Sequence, residues 1–190
     1  MGVAVELAAE DRTVVDRDYE TTTHRIEALV PHFFQRVWND RQVQVTDLIW
    51  SPDVIFHSPL SDEPVHGRDE LRSHFDVIQG AFSELHFSVD DVIAGGDTVV
   101  LHITQVGVHT GDYFGIPATG RRVRMSEVFI FRTSPGGPVG AQIDEIWLSM
   151  NALNLMQQLG LFPKGNPPRP LLRGIIAVQR TGRKLRRRAA

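Results

Sequence analysis

The 190-residue chain contains no cysteine, which excludes disulfides, thiol nucleophiles and any Cys-ligated metal. It lacks an apolar run long enough for a membrane-spanning helix, so no membrane span is expected. The start of the chain lacks a basic segment ahead of an apolar one and carries Glu6, Glu10 and Asp11 instead. No secretory leader is read there, and a cytoplasmic protein is expected. The eight histidines include no His-x-x-x-His pair of the kind that binds metal on a helix, so no metal site is inferred. Internal repeats are absent.

What is present is an ordinary globular composition. Hydrophobic residues make up 42% of the chain, enough for one sizeable core. The net charge of −3 is unevenly spread. Residues 164–190 carry nine Lys/Arg and no acid, from Lys164 to Arg188. No aromatics interleave these cations, as a nucleic-acid stacking surface would require. The basic end is therefore read as lying on the acidic body of its own or a neighbouring subunit, with no nucleic-acid partner. The organisation expected is a polar lead-in over 1–19, one domain over 20–162, and a basic tail over 163–190. In that tail Leu171, Leu172, Ile175 and Ile176 could form the stripe of an amphipathic helix.

Periodicity gives the elements. Ile26, Leu29, Val30, Phe33, Phe34 and Val37 follow helical spacing and predict a helix over about 20–39, with Pro31 expected to kink or break it at Val30. A short helix is expected over 43–50, then a strand in SPDVIFHSPL (51–60) and a loop in SDEPVHG. Leu71, Phe75, Ile78 and Phe82 predict a second long helix behind Gly67. From residue 84 the period becomes two. Gly95-Gly96-Asp97 marks a hairpin turn into a strand at 98–106. Strands at 121–133 and 139–149 flank PGGP, and MNALNLMQQLG closes as a helix that Gly160 can terminate. Helices followed by antiparallel strands make an α+β fold.

The connection GVHTGDYFGIPATGRR, residues 107–122, is a shaped turn, with four glycines and Pro117. Together with VWND (37–40), SPDVIFHSP (51–59), HGRDELRSHF (66–75), VFIFR (128–132), DEIW (144–147) and the terminal LNLMQQLG (153–160), it resembles the SnoaL-like polyketide cyclases, also called ester cyclases, of the nuclear-transport-factor-2-like superfamily. The likeness spans about residues 25–162. It implies a curved antiparallel sheet wrapped by helices into a cone with an internal cavity. It also implies cofactor-free, metal-free cyclisation of a polyketide-type substrate, and a homodimer or higher homo-oligomer. The family's acid near the end of the last strand has no counterpart in IWLSMNAL, and its histidine on the preceding strand falls at about Phe129.

A cavity enzyme without a cofactor needs a base of near-neutral pKa and a donor for developing oxyanion charge. Three residues are candidates for catalysis. His57 lies where ketosteroid isomerases of the superfamily place a catalytic carboxylate. His102 shares a strand face with Thr104, and periodicity leaves open whether that face is the cavity or the outer surface. Glu127 shares a face with Phe129 and Phe131, where an apolar environment would raise its pKa, unless it pairs with Arg122 or Arg124. Substrate contacts are expected from Phe34, Trp38, Thr104, His109, Phe129, Glu145, Trp147 and Asn151. Trp147 would join Phe34 and Trp38 as an aromatic wall. His109 and Tyr113 are placed at a cavity rim or a subunit contact. The expected function is a cofactor-independent cyclase or isomerase for a hydrophobic small molecule, with His57 or His102 as base and Glu127 as acid. The rival readings are a non-catalytic binding or assembly protein and a hydrolase or hydroxylase on the same scaffold.

Overall fold

The computed structural model describes residues 22–163. The expected lead-in and almost all of the basic tail, with its apolar stripe, lie outside the described residues. The elements are α1 (Thr22–Trp38), a 3-10 turn (Val43–Val45), α2 (Thr46–Ile49), β1 (Trp50–His57), β2 (Val65–His66), α3 (Arg68–Ala81), β3 (Phe82–Gly95), β4 (Thr98–His109), β5 (Arg122–Ser134), β6 (Gln142–Met150) and α4 (Ala152–Leu159). One six-stranded sheet has the order β2-β1-β6-β5-β4-β3. No described helix is long and apolar enough to cross a membrane.

The α+β curved sheet agrees with the sequence reading, with one correction. The sheet is mixed, because β1 pairs with β6 in parallel while every other pair is antiparallel. β1 and β6 are far apart in sequence, so no hairpin forces their directions to oppose. The two-residue β2 falls within SDEPVHG, read as loop; its residues pair with Ile55 and Phe56.

α1 runs unbroken through Pro31. Proline removes one backbone donor. Burial of Leu29, Val30, Phe33, Phe34 and Val37 on the sheet holds the helix together across that gap. The Asn39 side chain then fixes the helix end to β3, donating to the Phe87 carbonyl at 2.8 Å and accepting the Phe87 N–H at 2.8 Å. Asp47 is bound by both Arg68 and Arg72, which ties α3 to α2.

Strict alternation assigns the two faces of the sheet. On β4, Val99, Leu101, Ile103, Gln105 and His109 are buried, and on β5 Val123, Met125, Glu127, Phe129, Phe131 and Thr133 are buried. These residues look toward the helices. β3 breaks the alternation. A bulge between Val89 and Asp91 shifts the register, so Asp90 and Asp91 both turn outward while Val92 and Ala94 pack against the core. An unbroken period of two from residue 84 would instead place Asp91 on the face of Phe87. Gly160 ends α4 in the left-handed conformation with φ 86°.

Candidate active site

The helix-facing side of the sheet holds a small chamber of about 30 Å³. β4, β5, the end of β6, α3, α4 and the turn after β4 enclose it. Its wall is apolar, with Trp38, Phe75, Phe87 and Phe129 prominent, and three polar side chains open onto it: Gln105, Tyr113 and Glu127. All three are more than nine-tenths buried, at 7%, 6% and 4% exposure. Among the described residues none hydrogen-bonds the Gln105 amide, the Tyr113 hydroxyl or the Glu127 carboxyl. Buried polar groups are nearly always satisfied within a protein. Three that converge unpaired on one space mark it as a place for a polar ligand atom.

β5 positions Glu127 by its period of two. The residue falls in phase with Met125 and Phe129, and burial pushes its carboxyl up to about 7. A carboxyl at that value can both take and give a proton near neutrality. Gln105 is brought in by the same alternation on β4, where Ile103 stands opposite Glu127 and Gln105 opposite Met125. Tyr113 comes from the turn, closed by paired backbone bonds with Ile116 of 2.9 and 3.0 Å. Burial, and then the charge of Glu127, raise its hydroxyl above the usual phenol range, so it is a neutral donor.

A second, larger pocket measures about 380 Å³. Ser58, Ser61, His74, Phe114, Ile116 and Met156 line it, and Tyr113 lines both spaces. His74 packs against Phe56 and Phe114, with centroid distances of 5.2 and 4.8 Å. Burial lowers its pKa against an opposing pull from Glu70.

The sequence candidates divide between the two faces. Glu127, Phe129 and Trp38 line the chamber. Phe34 lies deeper, packed 5.3 Å from Phe129 in an adjoining apolar void of about 20 Å³. His57, Glu145 and Trp147 lie on the opposite, outer face. There His57 Nε2 sits 2.7 Å from Glu145 Oε1, and the imidazole stacks on Trp147 at 5.0 Å and 8°. The cause is register: Phe56 and Ile146 take the inward positions, which sends their neighbours His57 and Trp147 outward. Trp147 therefore forms no wall with Phe34 and Trp38.

The face left open for His102 and Thr104 is also the outer one. His102 Nε2 lies 2.8 Å from Ser126 Oγ, and the Thr104 hydroxyl donates to Asp90 at 2.7 Å. The sheet thus separates His57 and His102 from Glu127, and the expected sharing of a proton across one pocket has no geometric basis. Glu127 also makes no pair with Arg122 or Arg124, whose side chains leave from outward positions of β5. Arg122 instead binds Glu84.

His109 is inward and fully buried but lines neither pocket. Its Nδ1 accepts the Thr119 N–H at 3.3 Å and lies 3.1 Å from the Thr119 hydroxyl, pinning the base of the turn. Burial lowers its pKa against the pull of Asp112. Asn151 caps α4, its Oδ1 accepting the Asn154 N–H at 2.9 Å.

Gln105 and His74 were missed as site residues, although a signal existed for each. Gln105 is a polar residue in phase with Val99, Leu101 and Ile103. His74 falls three residues after Leu71 and four before Ile78, on the margin of the apolar stripe of α3. Among the described residues no group of three or more His, Asp and Glu is placed to hold a metal ion.

A profile described as SnoaL-like polyketide cyclase matches residues 28–159. No curated protein matches the chain. Among solved structures, AclR of Streptomyces galilaeus, provisionally named a hydroxylase, is 25% identical, with 75% of this chain and 100% of that one covered and a TM-score of 0.62. IdmH of Streptomyces antibioticus, provisionally named a polyketide cyclase, is 22% identical over 70% of this chain and 98% of its own, with a TM-score of 0.58. A SnoaL-like protein of Jannaschia sp. CCS1, provisionally named a polyketide cyclase, is 22% identical over 70% and 92%, with a TM-score of 0.59. The last two likenesses show the fold.

Proposed function

The chain belongs to the SnoaL-like polyketide cyclase family, and on that footing we propose that it is a cofactor-independent cyclase or isomerase for a hydrophobic, polyketide-type small molecule, with Glu127 as its acid–base group. The observation that carries this reading is the convergence of three buried, unpaired polar groups on one apolar chamber. The end of β6 carries no carboxylate, but Glu127 stands directly across from Met150, the last residue of that strand. A carboxyl is thereby supplied at the same level of the sheet from the neighbouring strand.

The chemistry closes on one carboxyl. Glu127 as carboxylate takes a proton from a carbon next to a carbonyl, and the C–H electrons pass into an enolate. The enolate carbon attacks a second carbonyl of the same molecule, forming a C–C bond and leaving an alkoxide. The protonated Glu127 returns the proton to that alkoxide, so substrate and product are isomers. The Tyr113 hydroxyl and Gln105 amide stabilise the oxyanions, which a water-poor chamber makes worth several kcal/mol, on the order of 3 per donor.

The test is turnover of a poly-β-ketone ester by wild type and Glu127→Gln, followed by chromatography and mass spectrometry. Cyclisation gives a product of unchanged mass and altered retention time. Glu127→Gln should lose at least a hundredfold in rate, and full retention would remove Glu127 from the reaction. A second reading, a binding or assembly protein, is favoured by the aromatic filling of the interior, which leaves internal spaces of about 20 and 30 Å³. On that reading the ester binds and is recovered unchanged from both proteins.

A further inference from the structure

Among the described residues, Tyr113 alone lines both the Glu127 chamber and the larger outer pocket. The two spaces differ by more than tenfold in volume, about 30 against 380 Å³. The Tyr113 phenol ring is held edge-on by Phe82 at 5.3 Å and Phe114 at 5.0 Å. No described side chain hydrogen-bonds its hydroxyl, so rotation of the ring breaks no side-chain hydrogen bond within the described residues.

The backbone beneath it has a fixed base and a short, strained tip. At the base, Gly111 lies so close to α3 that an added Cβ would stand 2.3 Å from the Gly80 carbonyl oxygen. The Thr110 and Gly111 N–H groups both donate to the Ala81 carbonyl, at 2.9 and 3.0 Å. On the return side, two backbone bonds of His109 close the neck, its N–H donating to the Arg121 carbonyl at 2.9 Å and its carbonyl accepting the Gly120 N–H at 2.8 Å. At the tip, Phe114 occupies the left-handed region with φ 50°, unusual for a bulky residue, beside Gly115 at φ 86°. Asp112 Oδ1 accepts the Gly115 N–H at 2.8 Å.

We propose that Tyr113 is the specificity-determining partition of this site: a substrate lodges its bulk in the outer pocket against Phe114 and His74, and only a compact end that can pass the phenol ring reaches Glu127. The hydroxyl sits at the junction and hydrogen-bonds the oxygen that crosses it. The proposal rests on the reading of Glu127 as the reacting group, but its test requires no turnover.

Dicyclohexylcarbodiimide is a bulky, neutral reagent that adds to protonated carboxyls in water-poor surroundings and leaves a stable N-acylurea. Labelling of Glu127 in the full chain, read by peptide mass spectrometry with Glu127→Gln as blank, reports passage of the partition. Wild type and Tyr113→Phe, which keeps the ring, should label slowly and within twofold of each other. Tyr113→Ala should label at least tenfold faster. N-phenyl-1-naphthylamine, a neutral fluorescent probe for the outer pocket, should protect Glu127 in both wild type and Tyr113→Ala, and Phe114→Ala should weaken probe binding severalfold.

Equal labelling of Tyr113→Ala and wild type, or labelling that bound probe does not slow, would overturn the partition. Should Tyr113→Ala lose its far-UV circular dichroism, Tyr113→Leu, which keeps the apolar packing but not the ring, carries the same expectation. Failure of the catalytic reading shows separately, as Glu127→Gln that still turns over while Tyr113→Ala opens the chamber to reagent.

Discussion

Glu127 and Met150 are cross-strand partners, one in the middle of β5 and the other at the very end of β6. The pairing brings a carboxyl that local sequence assigns to the middle of a strand to the rim where β6 gives way to α4. Its burial has a consequence for stability that can be measured without a substrate. The folded-state pKa of about 7 lies above that of an unfolded glutamate, so the native state holds the proton more tightly. Below the unfolded value both states are protonated and Glu127 contributes no pH dependence. As pH rises toward 7 the native state is progressively penalised, by up to about 3 kcal/mol above it. Glu127→Gln removes the penalty. Melting temperatures of variant and wild type should be close at pH 4 and diverge in favour of the variant between pH 5 and 8. A constant difference across that range would contradict the burial of the charge.

His57 offers the opposite case. Its bond to Glu145 and its stacking on Trp147 are partly exposed features of the outer face, with side-chain exposures of 36% for His57 and 31% for Glu145. Partly solvated pairs of this kind contribute about 0.2–1 kcal/mol. His57→Ala should therefore lower stability by about 1 kcal/mol in a urea titration and leave turnover within twofold of wild type. A hundredfold loss of turnover would return His57 to the chemistry.

Gly111→Ala tests how tightly the turn is anchored. The new methyl would meet the Gly80 carbonyl oxygen at 2.3 Å and the Ala81 Cα at 3.1 Å, and both are backbone atoms. Overpacking of this order costs about 1–3 kcal/mol. The expected outcome is a lowered melting temperature, together with faster carbodiimide labelling of Glu127 as the turn is pushed off α3. Wild-type behaviour in both measurements would mean that the close approach is not maintained.

Asn151→Ala should cost about 1 kcal/mol, the usual effect of losing an N-cap side chain, because Asn151 caps α4 through the Asn154 N–H. Asn151→Asp keeps the acceptor and should restore most of the loss. A large rate effect in Asn151→Asp with unchanged stability would instead argue for contact with substrate.

The elements were legible because helices and strands here bury one face each, and burial leaves a period in the sequence. Leu29, Phe33 and Val37 declare α1, and Val99, Leu101 and Ile103 declare the inner side of β4. The same logic found Glu127 as a polar residue in an apolar row. It did not find the side of the sheet for His57 and His102. Alternation says that neighbours point apart, and only pairing with other strands says which of them points in. Register failed locally at Val89–Asp91, where a bulge changes the phase without any glycine or proline to announce it. Tyr113 could be placed at a cavity rim but not against two spaces, because the second space is made with Ser58, Leu60, Ser61, Val65, His74 and Met156, all remote from it in the sequence.

The parallel pairing of β1 with β6 has a consequence for how the protein is made. β3, β4, β5 and β6 are consecutive antiparallel neighbours, and each can pair as soon as it is synthesised. β1 finds a long partner only when Gln142–Met150 has been made. Until then it has no strand beside it longer than the two residues of β2. The β1–β6 pairing joins residues about ninety apart in sequence and raises the contact order of the fold. During synthesis the unpaired edge of β1 is open to chaperones and to mispairing between nascent chains.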